Sequence, residues 1–196
     1  MMVTSAHSPR YWRIFPWDAG AKPGAQFSPE FIPPGQKSGR FDLEDRPPVL
    51  DLAESPAHAI AEKFQQYRGR EIGWPELRES GHPLAFVEVI VNLPESARIV
   101  DLCDPGALTR HECRPDELMS RNFTRTQAVS RRLHESGVCG FEVWSALTGD
   151  WHSTFLFMDR LIPDRHLSYA TPERIDFDMP PFREAAELLG LGIAGR

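Results

Sequence analysis

The sequence predicts an α+β fold, and three observations predict it. Strand-like and helix-like segments are mixed along the chain without the regular alternation of a doubly wound sheet. The 18 prolines and 14 glycines in 196 residues force frequent turns and short elements, which excludes a long-helix bundle yet falls short of a disordered composition. The length suits about one domain with a sizeable core, so residues 1–196 read as a single domain.

The elements follow in order. Residues 11–16 (YWRIFP) read as an edge strand stopped by Pro16. Residues 17–38 are rich in Gly, Pro and Ser and read as a long loop, a class that often carries function. Residues 49–53 (VLDLA) form a short strand. Ser55 is a good N-cap and Pro56 suits the first helical position, so a helix over about 56–67 follows, with Ala57, Ile60, Ala61 and Phe64 on its apolar face. Residues 84–93 read as a buried strand and 98–102 as another. Residues 103–121, with Pro105-Gly106 and Pro115, read as loop. Thr124 and Gln127 match a capping box that opens a helix to about Glu135, ended at Gly137. Residues 141–144 and 153–158 are two further strands. A proline-rich stretch follows, then a last short helix over about 182–189 and a glycine-rich tail.

Charge narrows the partners. The balance of 22 Lys+Arg against 28 Asp+Glu gives −6, which argues against a nucleic-acid protein with a broad basic face. A small anion pocket built from two or three arginines stays compatible with it. No run of 18 or more apolar residues predicts a membrane span. The start of the chain lacks the pattern of a secretory signal, and Cys103, Cys113 and Cys139 are few and odd in number. Both point to a reducing cytoplasm.

Generic catalytic patterns are absent or bland. His111 and Cys113 lie two apart with Cys103 upstream, but no zinc-type spacing occurs, so no metal is expected. Cys139 has no evident base and reads as a small buried residue. The segments Gly20–Gly24 and Gly35–Gly39 lack the ending of a phosphate loop. Arg13 alone would be a strand residue. Glu62 alone, beside Gln65 and Gln66, would be part of a polar helix face.

Order makes these residues more specific. WRIF (12–15), SGRFD (38–42), VLDLAESPAHAIAE (49–62), GVCGFEVWS (137–145) and FLFMDR (155–160) follow one another along the chain. In that order the sequence resembles the RES family, over a core from about residue 11 to residue 160, with 161–196 as a C-terminal extension. The resemblance implies a fold similar to the ADP-ribosyltransferases, with small mixed or antiparallel sheets flanked by short helices. It implies an enzyme that degrades NAD⁺, by phosphorolysis or hydrolysis, and in many members a bacterial toxin held inactive by an Xre-type antitoxin. Protein ADP-ribosylation, or a scaffold that only binds, are the alternative readings. NAD⁺ is then a substrate, phosphate a co-substrate for phosphorolysis, and no resident cofactor is called for. A homo-oligomer is compatible with all of this.

Carried over motif by motif, the resemblance marks Arg13, Glu62 and Ser145 as catalytic residues and Gly39, Arg40, Phe41 and Asp51 as substrate-binding residues. The residue types suit the chemistry. An arginine fork fits phosphate oxygens. Nicotinamide leaves a cationic bond as a neutral molecule, so a carboxylate such as Glu62 helps by facing the developing sugar cation. Ser145 would hold ribose or orient Glu62. Trp12 or Phe41 would stack on a ring or serve as packing, and Trp144 reads as core. Asp51 stands where the family usually has a tyrosine, and as a charge it would repel substrate phosphates if it faced the pocket.

Overall fold

The computed structural model describes residues 9–34, 39–43 and 48–195. Gly35 and Ser38, named in the sequence reading, lie outside the described residues, as does the start of the chain.

In chain order the strands are β1 (Arg10–Pro16), β2 (Val49–Ala53), β3 (Glu71–Ile72), β4 (Arg78–Glu79), β5 (His82–Val91), β6 (Ile99–Asp101), β7 (Gly140–Trp144), β8 (His152–Phe157), β9 (Leu167–Tyr169), β10 (Glu173–Arg174) and β11 (Gly192–Ile193). The helices are α1 (Pro56–Phe64), α2 (Pro105–Arg110), α3 (Pro115–Leu118), α4 (Phe123–Glu135), α5 (Pro163–His166) and α6 (Pro180–Leu189). Nine strands join one sheet whose path is β10-β5-β1-β2-β8-β7-β6, with β4 and β9 also on β5. A separate parallel pair joins β11 to β3. The fold is α+β with a mostly antiparallel sheet; β6 and β7 run parallel. The small sheets expected from the sequence are therefore one large sheet and one minor pair.

The large sheet has a seam. β1 pairs with β5 along its whole length, from Arg10↔Ile90 to Pro16↔Leu84. β2 pairs with β8 at all five of its residues. Between β1 and β2 the register holds one pair, Trp12↔Ala53. Beyond it the strands part. The expectation of an edge strand at 11–16 is thus corrected: β1 is interior. Its proline is tolerated because Trp17 N–H donates to Pro83 O, which by alternation turns the nitrogen of Pro16 toward the open seam rather than toward β5.

Helices pack on the two halves of one sheet face. α1 and α6 cover the β1/β5 half, burying Ile60, Ala61 and Phe64 against Phe182, Ala185 and Leu189 with Leu84 below. Phe64 and Phe182 meet edge to face at 5.7 Å. α4 covers the β7/β8 half, where Val129 and Leu133 pack with Phe141, Val143, Phe155 and Phe157. The opposite face holds a third cluster around Phe15, Leu50, Leu52, Val87, Val89 and Leu156. Residues 161–189, expected as an extension, supply β9, β10 and α6 to this same sheet and core.

Local capping explains the helix starts and two corrections. Ser55 accepts from His58 N–H, as its position predicts. α4 is capped by Asn122, which accepts from Thr124 N–H, so Thr124 is not the cap. The stretch 103–121 is not loop throughout. Asp104 accepts from the amides of Gly106 and Ala107, and Pro105 occupies the first turn of α2, where it needs no N–H partner.

Gly140 lies between β8 and β6, and a Cβ there would sit 2.3 Å from Phe155 O and 2.8 Å from Leu156 Cδ2. Gly140→Ala should therefore cost about 1–3 kcal/mol by forcing the strands apart. Thermal unfolding should show a midpoint lower by about 3–10 °C.

Candidate active site

A cleft of about 820 Å³ opens above the seam, between the two helical packs. That size lies in the usual range for a small-molecule site, about 300–1,000 Å³. Its walls include Trp12 and Arg13 from β1, Gly39 to Asp42, Asp51 and Ala53 from β2, Glu62 and Lys63 from α1, Phe123 at the start of α4, and Ser153 and Phe155 from β8.

Glu62 is the best-determined group. α1 presents it to the cleft, where its side chain remains 24% accessible. Its Oε1 accepts from Ser145 Oγ at 2.7 Å, and its Oε2 accepts from Gln65 Nε2 at 2.9 Å. His58 Nε2 lies 3.5 Å from Oε1, one helical turn earlier. Burial pushes the Glu62 carboxyl up, but the hydrogen bonds from His58 and Ser145 and the charge of Arg40 outweigh it. The net shift is downward, so Glu62 is ionised at neutral pH.

Ser145 follows the end of β7 and is only 1% exposed. Its Oγ accepts from Leu147 N–H at 3.1 Å while donating to Glu62. Of the two roles expected for it, this geometry supports orienting Glu62. His58 was not singled out in the sequence. It is fully buried, stacks on Trp151 at 4.9 Å, and receives the Glu54 N–H on Nδ1 at 3.4 Å. A neutral ring so bonded carries its proton on Nε2, toward Glu62 and the hydroxyl of Ser153 at 3.4 Å. The available signal was its spacing of four from Glu62.

The arginines serve differently. Arg13 donates to Pro29 O at 2.9 Å and Phe31 O at 3.1 Å, pinning the loop after β1 at the seam. Burial lowers its pKa, with Tyr169, Asp51 and Glu30 opposing. Arg40 sits in the turn before β2, its guanidinium 5.2 Å from the Phe41 ring, and its charge favours ionisation of both Glu62 and Asp51. Two residues of α4 hold this turn: the Thr126 hydroxyl donates to Arg40 O, and Gln127 Nε2 donates to Gly39 O at 3.1 Å. Gln127 is thus a tether for the turn rather than half of a capping box. Gly39 donates to Asp42 Oδ2 at 2.7 Å, and a Cβ there would lie 2.6 Å from Asp42 Oδ1.

Phe41 sits mainly in the core. It is 1% exposed, wedged between Phe155 at 4.6 Å and Phe141 at 5.1 Å. Although Phe41 lines the cleft, its ring is packed into the core, and of the two roles expected for it, stacking or packing, the geometry favours packing. Trp12 and Phe123 are the aromatic residues that line the cleft with some exposure.

Asp51 is the exposed residue of a strand otherwise buried. It faces the open cleft yet is ringed by protein. Burial, then the charge of Glu62, push its carboxyl up to about 7, with Arg40 and Arg13 opposing and Asp42 assisting.

Among the described residues one trio, Asp101, Cys103 and Glu142, offers donor atoms within 4.8 Å of one another. Strand alternation puts Glu142 and its neighbour Asp101 on the sheet face away from the cleft. Burial and the charge of Asp101 push the Cys103 thiol up to about 12, so it is not a thiolate at neutral pH. No helix among the described residues is long and apolar enough to cross a membrane.

Glu62 and Asp51 each give a measurable effect. Ser145→Ala removes a hydrogen bond that lowers the Glu62 pKa, so Glu62 should titrate at higher pH, as followed by side-chain carboxyl NMR. Asp51 is shifted the other way. The folded state keeps its proton up to about 7 while the unfolded chain releases it near 3.8, so stability falls as pH rises between them. Asp51→Asn should therefore melt above the parent chain at about pH 8, with the gap closing in acid below the unfolded value.

Comparison with known proteins adds the following. A family model described as RES domain matches residues 10–179. No curated protein matches in sequence. A chain in the crystal structure of the M. tuberculosis MbcT-MbcA toxin-antitoxin complex is similar in fold, with a TM-score of 0.56 at 16% identity, over 94% of this chain and 90% of that one.

Proposed function

The chain belongs to the RES domain family, and from that premise we infer that it is an NAD⁺-degrading enzyme that cleaves the bond between nicotinamide and ribose. The observation that carries this reading is Glu62: an ionised carboxylate held at a cleft wall by Ser145 and His58, with Arg40 close enough to favour its charge. The reaction has the same need. As the ribose–nicotinamide bond stretches, positive charge moves onto the sugar ring, and nicotinamide departs neutral without a proton donor. A fixed anion beside the sugar stabilises that state more than the ground state.

The remaining residues fit around it. Arg40, with Lys63 and Asp42 also on the cleft, gives a patch whose cations would take the diphosphate. Arg13 already donates to Pro29 and Phe31 and is hydrogen-bonded to Tyr169 as well, so its share in anion binding rests on its remaining N–H groups. Ser145 and His58 would act through Glu62, as positioning residues. Trp12 and Phe123 offer ring faces for nicotinamide or adenine.

Residues 1–196 act as one catalytic unit in this reading, with an ADP-ribosyltransferase-like architecture. NAD⁺ depletion would make the protein a toxin in the bacterial cytoplasm, paired with an Xre-type antitoxin. Membership of the family and the likeness of fold to a chain of a toxin–antitoxin complex support that role. Passage of the ribosyl group to a protein would be seen as label from NAD⁺ on a protein band.

The test is nicotinamide release from NAD⁺ by the purified chain, with and without phosphate. Release above buffer is expected in at least one condition; none in either would overturn the reading. Glu62→Gln keeps the shape and removes the charge, so turnover should fall by about 100-fold or more while the melting curve stays cooperative.

A further inference from the structure

Cleavage of NAD⁺ leaves one question for the cleft itself: which nucleophile ends on the ribose. The strand that floors the cleft bears on it. Val49, Asp51 and Ala53 share one face of β2, and Asp51 is its one charged residue. Its strand partner is Phe155, an apolar neighbour. Among the described residues the Asp51 carboxylate accepts no hydrogen bond, although it is exposed to the cleft. Its oxygens are therefore available to water.

The groups facing it come from every side. α1 brings Glu62 and Lys63; the turn before β2 brings Arg40 and Asp42; β1 brings Arg13; β8 brings only the uncharged Ser153 and Phe155. Two carboxyl groups thus line one wall and the floor with their titrations pushed in opposite directions. Glu62 is tied down by Ser145, His58 and Gln65 and held ionised. Asp51 has no such donors and is driven toward neutrality by its neighbours. Pairs of carboxyl groups whose environments push them apart divide the labour of sugar chemistry, one stabilising charge and the other moving a proton.

We propose that Asp51 is the general base that delivers water to the ribose, so that the ribosyl acceptor in this protein is water and not phosphate. The proposal rests on the NAD⁺-cleaving reading. The bond from ribose C1′ to the nicotinamide nitrogen breaks, and its electron pair leaves with neutral nicotinamide. A lone pair of the water oxygen forms the new bond to C1′. The water proton passes to an Asp51 oxygen and then to solvent. The products are ADP-ribose, nicotinamide and one proton, with no change of oxidation state. A phosphate dianion in the same space would bring its own charge beside the ionised Glu62, with Arg40 and Lys63 already facing the diphosphate in this reading, and would have no use for a base.

The experiment uses the full chain with NAD⁺ in heavy-oxygen water, with and without millimolar phosphate, and reads products by mass spectrometry. One heavy oxygen in ADP-ribose, no ribosyl phosphate and a rate indifferent to phosphate are expected. The rate should rise with pH through about 7 and level above it, as the base loses its proton. Asp51→Asn should turn over about 100-fold more slowly, lose that pH step and shift KM by less than about threefold, its fold checked by melting. Ribosyl phosphate as the main product, or Asp51→Asn with the parent rate and pH profile, would overturn the role of Asp51 while leaving NAD⁺ cleavage intact. No nicotinamide from the parent chain under either condition would overturn both.

Discussion

One backbone pair, Trp12 with Ala53, joins the two halves of the sheet, and the rest of the architecture depends on what happens beside it. On either side of the seam pairing is extensive: seven residues of β1 match β5, and all five of β2 match β8. At the seam the backbone gives up hydrogen bonds it would otherwise make, which leaves polar groups to satisfy. Pro16 removes one such donor outright. The side chain of Arg13 fills the gap with donors of its own, aimed at the carbonyls of Pro29 and Phe31. Because each half has its own helical cover and core, the opening between them is a stable cleft rather than a defect.

The electrostatics of the cleft follow from the same division. Glu62 comes from the α1 half and Ser145 from the end of β7 in the other, so their hydrogen bond crosses between the packs. The turn with Gly39 and Arg40 is held to α4 by Thr126 and Gln127, and faces Glu62 from the second half. A chain with net charge −6 thus gathers Arg13, Arg40 and Lys63 at one opening. Net charge describes the whole surface; only the folding pattern places these cations with Glu62, Asp42 and Asp51.

What could be read from the sequence was what is encoded locally. β2 matches its predicted bounds, and Ser55 with Pro56 starts α1 where expected, because a strand bounded by turns and an N-cap before proline depend on near neighbours. The same local logic failed at Pro105 and Pro115, where proline opens a helix instead of breaking one. The interior position of β1 could not be read, since it depends on β5 lying some seventy residues away. Motif order named Glu62 and Ser145, and the structure shows them bonded. It did not name His58, which looks like any helix residue until burial and the ring of Trp151 are seen. It left Phe41 between stacking on a ligand and packing, and only the surrounding rings of Phe141 and Phe155 favour packing.

The position of α6 in the chain has a consequence for synthesis. The apolar face of α1 is completed by Phe182, Ala185 and Leu189, which leave the ribosome after nearly every other described element. Until then Ile60, Ala61 and Phe64 lack much of their cover, and a nine-residue helix in water is marginal alone. A nascent chain stalled before residue 180 would carry Glu62 on a segment without its seat. The carboxylate thus acquires its fixed place only once α6 has been made, and a truncation within α6 would disable the cleft without touching any residue that lines it.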